Sequence, residues 1–304
     1  MSEEDAVELR DIEIFLTLAE ELHFGRTAER LHVSPARISQ AIKKQERGIG
    51  ADLFERTSRT VKLTAVGEQL RHDLRPIYRD LHESVARARL SAQGKTGELR
   101  IGTINLNSYE LRVFWDAFRT RCPQWGLRIR HNGWSGPFEP LRNGDIDALV
   151  TWLPVEEPDI TVGPVVFAEQ QRMIMSVEHA LAERDSVSME DLGNYPTITG
   201  GVTVPDYWED AYLPFYTPKG RSVGKIVPVA NMEEMLAAVS HDGVINTLAE
   251  HFRRYSTGVR PDVVDRPIRD APLLRWGLVW RSDAEDERIR ALADVIRDLG
   301  PLTL

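Results

Sequence analysis

The first ninety residues carry their apolar side chains at helical spacing, in separate segments. Residues 9–22 repeat an apolar position every three or four residues, and 25–31 do so over a shorter run. A break at 32–34 precedes a third segment, in which Ile38 and Ile42 lie four apart. The pattern predicts three helices that share one core, the third beginning at Pro35.

The break before the third helix has the chemistry of a helix start. The Ser34 hydroxyl can accept from a free N–H, and Pro35 takes the first helical position, where no N–H is needed. A three-residue turn after a helix with small Ala28 at the crossing predicts a helix-turn-helix. With Ile38 and Ile42 inward, the outer face carries hydroxyl, amide and cationic groups, which read base edges and hold phosphates: Pro35, Arg37, Ser39, Gln40, Lys43 and Lys44.

A short hairpin, or wing, is predicted after this helix. Gly48 and Gly50 end the helix, Leu53 and Phe54 form an apolar plug, and a polar turn with Arg59 at its tip precedes the alternating residues 61–64. Residues 24–64 hold nine basic and four acidic side chains, a local charge of +5 in a chain of net charge −9. Such a basic island predicts a phosphate-binding surface. The alternative is that the charged helices form only a stable subdomain.

Residues 65–90 predict one long helix with a seven-residue apolar repeat. One helix cannot bury this stripe alone, so it is predicted to dimerise; the alternative is packing on its own domain. Pro76 removes one backbone hydrogen bond and predicts a bend, and 91–97 have the composition of a flexible hinge. The stripe comprises Val66, Leu70, Leu74, Ile77, Leu81, Val85 and Ala88.

From residue 97 the pattern changes to short apolar strands that alternate with helices, including a helix over 248–255, and an amphipathic helix over 284–299 closes the chain. Strands are predicted over 99–103, 127–131, 148–152, 173–177, 197–199, 225–229, 244–247 and 274–280. This alternation predicts an α/β fold with open, mostly parallel sheets and helices on both faces. About 200 residues is large for one such sheet, so two lobes are expected. Ligands then bind where strand ends and helix N-termini converge.

Residues 9–75 resemble the N-terminal domain of the LysR-type transcriptional regulators, in LRDIEIFLTLAEELHF, TAERLHVS, ISQAI and LFERTSRTVKLTAVGE. The remainder is similar to the family's effector domain at GELRIGT (97–103), LRNGDIDALV (141–150) and the helix after Asn231. One departure is that Ser34-Pro35-Ala36-Arg37 stands where the family commonly has Ser-Gln-Pro-Ala. A base-reading glutamine is therefore absent, and the family's half-site sequence does not carry over.

The resemblance implies a winged helix-turn-helix DNA-binding domain over 1–64, a dimerisation linker helix over 65–93 and an effector-binding domain over 94–304. That domain should have the two-lobed fold of periplasmic binding proteins. The chain would cross to the second lobe near Phe167 and return near Ile268, so lobe one is about 97–167 with 268–304 and lobe two about 168–267.

The expected function is sequence-specific transcription regulation, controlled by a small molecule between the lobes, by a dimer or tetramer on double-stranded DNA. Groove contacts are predicted for Arg37, Ser39, Gln40 and Lys43 at the helix that starts at Pro35. Phosphate contacts are predicted for Ser34, Lys44 and Arg56, and a minor-groove contact for Arg59. A rival interpretation gives the C-terminal domain only an assembly role; a filled, hydrophobic cleft would favour it.

Polar residues at strand ends and helix starts are the predicted effector site, although Ser, Thr or Asn before a helix is often only a cap. Trp134, Trp152, Tyr207 and Trp208 predict partly aromatic walls. No arginine lies on these loops, so a carboxylate ligand is not required. The predicted effector-binding residues are Thr103, Asn105, Ser108, Ser135, Trp152, Thr203, Asn231 and Thr247.

Composition excludes several other classes. The chain has 304 residues, 42% hydrophobic and 28% charged, without an apolar run of the roughly 20 residues that a membrane span needs. An acidic N-terminus and one cysteine fit a cytoplasmic protein.

Cys122 is interpreted as a structural thiol, with a redox sensor as the alternative. No metal-ligand spacing, phosphate loop or nucleophile elbow occurs, so neither cofactor nor metal nor catalysis is expected. An enzyme that gained a DNA-binding domain is the second rival.

Overall fold

The computed structural model describes residues 8–56, 61–104, 109–201, 203–229, 231–256, 258 and 260–303. The chain divides into two compact units, Met1–Arg89 and Leu90–Leu304. Among the described helices, none combines the length and the apolar character that crossing a membrane requires.

The first unit is built on three helices and a hairpin. Their shared core includes Phe15, Leu18, Ile38 and Ile42, all without solvent exposure, and the Phe54 ring packs edge-on against Phe15 with centroids 5.7 Å apart. This confirms the predicted inward faces and the apolar plug. In chain order the elements are α1 (Leu9–Glu21), α2 (Phe24–Arg30), α3 (Pro35–Ile49), β1 (Phe54–Arg56), β2 (Val61–Leu63) and α4 (Ala65–Ala92).

The start of α3 has the predicted cap. The Ser34 hydroxyl accepts from the backbone N–H of Arg37 at 3.2 Å, and Pro35 occupies the first turn. At the other end, Gly50 adopts φ +78°, a left-handed conformation that glycine takes without strain and that stops the helix. β1 and β2 then pair antiparallel, with Phe54 opposite Leu63. The predicted turn between them, 57–60, lies outside the described residues.

The apolar stripe of α4 is divided between two environments. Leu70 and Leu74 of the stripe, together with the neighbouring Tyr78, pack against the three-helix core. Ile77, Leu81 and Val85 are 63%, 43% and 46% exposed. Because isolated apolar side chains on a long helix gain from burial, this second set needs a partner surface.

The second unit contains two lobes, each with its own sheets. In chain order the elements are β3 (Gly97–Ile104), α5 (Arg112–Arg121), β4 (Trp125–Asn132), α6 (Glu139–Arg142), β5 (Ala148–Trp152), β6 (Ile160–Glu169), β7 (Gln171–Ser176), β8 (Pro196–Thr199), α7 (Asp206–Tyr212), β9 (Gly224–Pro228), α8 (Met232–His241), β10 (Asn246–Ala249), β11 (Val263–Pro267), β12 (Leu274–Arg281), α9 (Glu287–Leu299) and β13 (Leu302–Thr303). Short 3₁₀ helices occur at Met189–Asn194, Glu250–Tyr255 and Ser282–Ala284.

Lobe one is a six-stranded sheet in the order β13-β6-β12-β5-β3-β4, with α5 packed on α9 and α9 on β6. Lobe two has a three-stranded sheet, β10-β7-β11, and a two-stranded sheet, β8-β9, with α8 against β7 and β11. The chain passes from one sheet to the other between Glu169 and Gln171, and returns between Pro267 and Leu274.

The expectation of mostly parallel sheets was wrong. β12 runs antiparallel to both β5 and β6, and β7 runs antiparallel to both β10 and β11, whereas β3 is parallel to β4 and β5. Apolar periodicity indicates where a strand lies but not its direction. The predicted helix at 248–255 is also corrected, because Asn246–Ala249 is a strand and only a 3₁₀ turn follows.

Strand β6 escaped prediction because Gly163 and Pro164 interrupt it, and both residues normally mark loops. The structure explains the glycine. A Cβ at Gly163 would lie 2.2 Å from the ring of Trp280 on β12, so only glycine lets this ring lie across the strand. The packing demand of a neighbouring strand therefore overrides the local signal.

Candidate functional site

Six residues on the outer face of α3 are predicted to contact DNA, and three of them are exposed and three half-buried. Pro35, Gln40 and Lys43 are exposed, so they can be reached by a large partner. The half-buried set is Arg37, Ser39 and Lys44. Gln40 and Lys43 thus offer an amide and an ammonium group from adjacent turns of one helix.

Arg37 and Lys44 share one buried carboxylate. Asp11 of α1 is 1% exposed; its oxygens lie 3.3 Å from the Arg37 guanidinium and 3.4 Å from the Lys44 ammonium. The backbone carbonyl of Asp11 also accepts from the Gln45 side chain at 2.9 Å. The two cations are therefore turned toward α1 rather than freely outward, and Lys44 also lies 3.5 Å from the exposed Glu8 carboxylate.

Arg56 at the start of the wing is tied to α3. Its guanidinium bonds the Glu46 carboxylate at 2.7 Å and lies 5.2 Å from the centre of the Phe24 ring. The same carboxylate accepts from the backbone N–H groups of Leu53 at 3.1 Å and Phe54 at 3.4 Å. Glu46 therefore anchors the hairpin to the helix. Arg59 lies outside the described residues.

Two tryptophans meet across the cleft between the lobes. Trp152 ends β5 in lobe one, Trp208 lies on α7 in lobe two, and their rings stack with centroids 3.6 Å apart and planes 19° apart. Trp152 Nε1 donates to the backbone carbonyl of Trp208 at 2.8 Å, and Trp208 Nε1 donates to the Thr151 hydroxyl at 3.2 Å. Tyr212, one turn further along α7, lies 4.7 Å from Trp152.

Polar contacts join the same two lobes at the cleft edge. The hydroxyls of Ser135 and Thr203 are 3.0 Å apart, and Trp134 Nε1 donates to the Val229 carbonyl at 3.4 Å. The Tyr207 hydroxyl donates to Glu157 at 2.9 Å. Burial raises the pKa of Tyr207, which keeps this phenol protonated as a donor.

A cavity remains beside the tryptophan stack. Residues of both lobes border about 520 Å³ of space, a volume that includes space open to solvent. Its walls are mainly aromatic and aliphatic, and Glu209 is the charged side chain among the described residues that line it. The lining comprises Trp134, Trp152, Ile198, Gly200, Val204, Trp208, Glu209, Tyr212, Leu213, Met232, Met235 and Asn246.

A buried polar cluster supports Trp152 from behind. The ring of Trp276 on β12 packs edge-on against Trp152 at 5.6 Å, and its Nε1 donates to the Glu169 carboxylate at 2.6 Å. Glu169 also accepts from the backbone N–H of His251 at 2.9 Å. Glu169 is the last residue of β6, where the chain leaves lobe one. The cluster therefore connects Trp152 of the cavity wall to the segment by which the chain passes between the lobes.

Comparison with known proteins identifies both units. The family model described as "LysR substrate binding domain" matches residues 92–301, and "Bacterial regulatory helix-turn-helix protein, lysR family" matches residues 9–68. The chain belongs to the LysR family of transcription regulators. It is a DNA-binding regulator with an N-terminal helix-turn-helix domain and a two-lobed α/β substrate-binding domain, as the sequence predicted.

Relatives of this LysR-family regulator extend over nearly its whole length. AlsR of Bacillus subtilis (strain 168) is 31% identical over 290 residues, 93% of each chain. ShiR of Corynebacterium glutamicum (strain R) is 28% identical over 306 residues, 96% of this chain and 99% of ShiR. The crystal structure of CbnR has a TM-score of 0.62 at 20% identity, with 96% of this chain and 98% of CbnR covered, which shows a shared fold.

Among the predicted effector-binding residues that the structure of this LysR-family chain describes, Trp152 alone lines the cavity. Ser135 and Thr203 bond each other at the cleft edge. Asn231 caps α8, where its side chain accepts from Glu234 N at 3.0 Å. Thr103 and Thr247 are buried, and the Thr247 hydroxyl donates to the Tyr212 carbonyl at 2.8 Å. Asn105 and Ser108 lie outside the described residues.

Several residues that line the cavity are not at the strand ends and helix starts where the sequence predicts a ligand site. Glu209 and Tyr212 lie inside α7, Met232 and Met235 inside α8, and Asn246 begins β10. The available signal was the row of aromatic residues on α7, of which Trp208 was predicted as a wall. Tyr207, also predicted as a wall, contacts Glu157 instead.

Neither a metal centre nor a reactive thiol is built into the described residues. No group of three or more His, Cys, Asp or Glu side chains among them is placed to hold a metal ion. Cys122 is a free, half-buried cysteine at the end of α5, and burial raises its pKa. A raised pKa lowers the thiolate fraction, which favours the structural role over redox sensing.

Proposed function

We propose that this regulator binds a small molecule in the cavity between its lobes and thereby changes the DNA contact made by α3. The observation that carries the proposal is that both lobes supply the cavity walls, with Trp152 from one and Trp208 from the other. A ligand that contacts both walls favours one separation of the lobes over another, which is the differential binding that a switch requires.

On DNA, α3 is proposed to enter the major groove, with Gln40 and Lys43 toward base edges together with Arg37 and Ser39. Support comes from the exposure of Gln40 and Lys43 and from the +5 charge of residues 24–64. Phosphate contacts are proposed for Ser34, Lys44 and Arg56. Asp11 holds Arg37, and Glu46 holds Arg56, so each guanidinium is presented in a fixed position.

Assembly is proposed to use the exposed part of the α4 stripe. Ile77, Leu81 and Val85 recur at four-residue steps on the helix, so a second copy could cover them in a coiled-coil-like pairing. A two-fold dimer would present two α3 helices to two half-sites. We further propose a cytoplasmic location, where the DNA of a bacterial-type regulator lies, and a function that involves neither catalysis nor a cofactor.

A second candidate function is assembly without any effector. The stack of Trp152 on Trp208 fills part of the cleft, and further polar and aromatic contacts already join the lobes without a ligand. A lobe pair closed in this way could act only as an oligomerisation surface.

One experiment separates the two functions. Candidate metabolites are screened by thermal shift on the full chain, and each hit is added to a footprint on DNA upstream of the protein's own gene. The screen is repeated with Val204→Phe, which fills the cavity, and with Val162→Phe, which enlarges a 44% exposed valine of lobe one as the matched control. Hits that stabilise the wild type and the control but not Val204→Phe, and that alter the footprint, support the effector function. If every compound leaves the footprint and the melting temperature unchanged, the assembly function replaces it.

A further inference from the structure

We infer that the cavity takes an organic ammonium ion attached to an apolar body, rather than a carboxylate. The inference rests on the proposed effector function, because it concerns the ligand of the same cavity. It follows from the charge of the walls, from their aromatic character and from one unpartnered acceptor.

The cavity walls offer acceptors and negative charge. Glu209 supplies a carboxylate. Its Oε1 accepts from the backbone N–H of Gly200 at 3.1 Å and lies 3.6 Å from Lys225 Nζ. Both contacts are made by Oε1, and neither is made by Oε2. Asn246 is 3% exposed, lines the cavity, and its Oδ1 finds no hydrogen-bond partner in the described structure. A buried acceptor without a partner is costly, and a ligand that donates to it removes that cost.

The lining contains no lysine, arginine or histidine among the described residues. Between residues 90 and 250 the structure leaves out 105–108, 202 and 230, and their residues, Asn-Leu-Asn-Ser, Val and Ala, include no cationic side chain. The nearby Lys225 is the counter-ion of Glu209, since its ammonium lies 3.6 Å from that carboxylate, 3.5 Å from the centre of the Phe215 ring, and its side chain is 6% exposed. A carboxylate ligand would therefore lose its water and compete with Glu209 for a cation that is already paired.

The aromatic walls favour a positive charge. Trp134, Trp152, Trp208 and Tyr212 line the cavity, and ring faces that are not covered by the stack of Trp152 on Trp208 attract a cation by their quadrupoles. The same rings, with Met232 and Met235, bury an apolar ligand body. Ammonium recognition by several aromatic rings and one carboxylate thus fits these walls better than anion recognition does.

The test uses three probes with one ring and three charges: benzylamine, benzyl alcohol and benzoate. Binding to the full chain is measured by calorimetry at pH 7 and by thermal shift. Benzylamine is expected to bind about tenfold more tightly than benzoate, because one charge-assisted hydrogen bond distinguishes them, with benzyl alcohol between the two. Val204→Phe should abolish binding of all three, which assigns it to this cavity.

Glu209→Gln keeps an oxygen for Gly200 N but removes the charge, so it should reduce the preference for benzylamine over benzyl alcohol to about twofold or less. Glu183→Gln, at an exposed site in lobe two, is the control and should keep the wild-type preference. If Glu209→Gln does not fold, the comparison of the three probes on the wild type still decides. Tighter binding of benzoate overturns the ligand class but leaves the effector function standing. Absence of binding by all three probes overturns the ligand class as well, whereas metabolite hits in the Val204→Phe screen would still support the effector function.

Discussion

The indole rings of Trp152 and Trp208 stack across the cleft with centroids 3.6 Å apart, and two hydrogen bonds fix the pair. The contact joins the end of a buried strand in one lobe to a helix in the other. Trp208 is 1% exposed and also packs edge-on against Phe138 at 6.0 Å. It is therefore a structural link between the lobes as well as a wall of the cavity.

Replacing Trp208 by alanine is expected to lower the free energy of unfolding by about 3–5 kcal/mol, because a large buried ring and its contacts are lost. Urea denaturation monitored by circular dichroism measures this change. Tyr216→Ala, which truncates a 66% exposed ring of lobe two, is the control and should change the stability by less than about 0.5 kcal/mol. Equal effects of the two substitutions would contradict the linking role of Trp208.

Local signals in the sequence were sufficient for the first unit. The Ser34 cap, Pro35 at the first turn and Gly50 at the end of α3 are set by residues within a few positions of each other. Helix boundaries there could be predicted for that reason. In the second unit, β6 is not predicted because Gly163 and Pro164 are typical of a loop. The glycine is required by the ring of Trp280, which is more than 100 positions away in the sequence.

The cavity was predicted less well than the fold. Trp152 and Trp208 could be predicted as cavity walls because they are large aromatic residues near a strand end and a helix start. Glu209, Met235 and Asn246 were not, since their roles depend on how α7, α8 and β10 meet in three dimensions. Thr103 and Thr247 are buried within their strands, and a role for them in ligand binding stays a prediction.

Asp11→Asn is expected to destabilise the first unit by about 1–3 kcal/mol, because the carboxylate is buried and joins two cations. Glu8→Gln is the matched control, since Glu8 lies 3.5 Å from the same Lys44 ammonium but is 63% exposed. Exposed pairs contribute little, so its effect should stay within about 0.5 kcal/mol. Thermal melts of both variants at constant pH decide; a stable Asp11→Asn protein would show that this carboxylate is dispensable.

Lys43→Ala and Gln40→Ala should weaken DNA binding in different ways. A phosphate or groove contact by the Lys43 ammonium predicts weaker binding to all sequences, with the salt-dependence slope reduced by about one. A base contact by Gln40 predicts a loss of about 1–3 kcal/mol that is confined to the specific site. Lys219→Ala removes an exposed lysine of the other unit and should alter neither quantity. Fluorescence anisotropy at several salt concentrations measures both, and unchanged affinities would place α3 away from DNA.

Leu81→Glu should convert the dimer into monomers, because it puts a charge into the exposed apolar stripe of α4. His72→Glu places the same charge at an exposed polar position of this helix and is the control. Sedimentation equilibrium of both variants gives the molecular mass. Since Leu81 is 43% exposed in the single chain, its substitution should leave the helical content unchanged. A Leu81→Glu protein that remains a dimer would move the assembly surface elsewhere.

His179 in lobe two makes the stability depend on pH. Burial lowers the pKa of its imidazole, whose Nδ1 accepts from the backbone N–H of Leu181 at 3.2 Å and whose ring lies 4.4 Å from that of Tyr195. A free imidazole has a pKa of about 6.5, so in acid the unfolded chain binds this proton before the folded chain does. Stability is then lost as the pH falls through that value, and at pH 8 both states are neutral.

His179→Asn keeps an acceptor for Leu181 N and cannot titrate, so it should lose less stability than the wild type between pH 7.5 and 5.5. Chemical denaturation at the two pH values measures the difference, and the comparison at pH 7.5 controls for any packing lost beside Tyr195. Other titrating groups contribute equally to both proteins and cancel. Equal losses of stability over this range would show that protonation of His179 does not contribute to the pH dependence. Its imidazole would then have the same pKa in the folded and the unfolded chain.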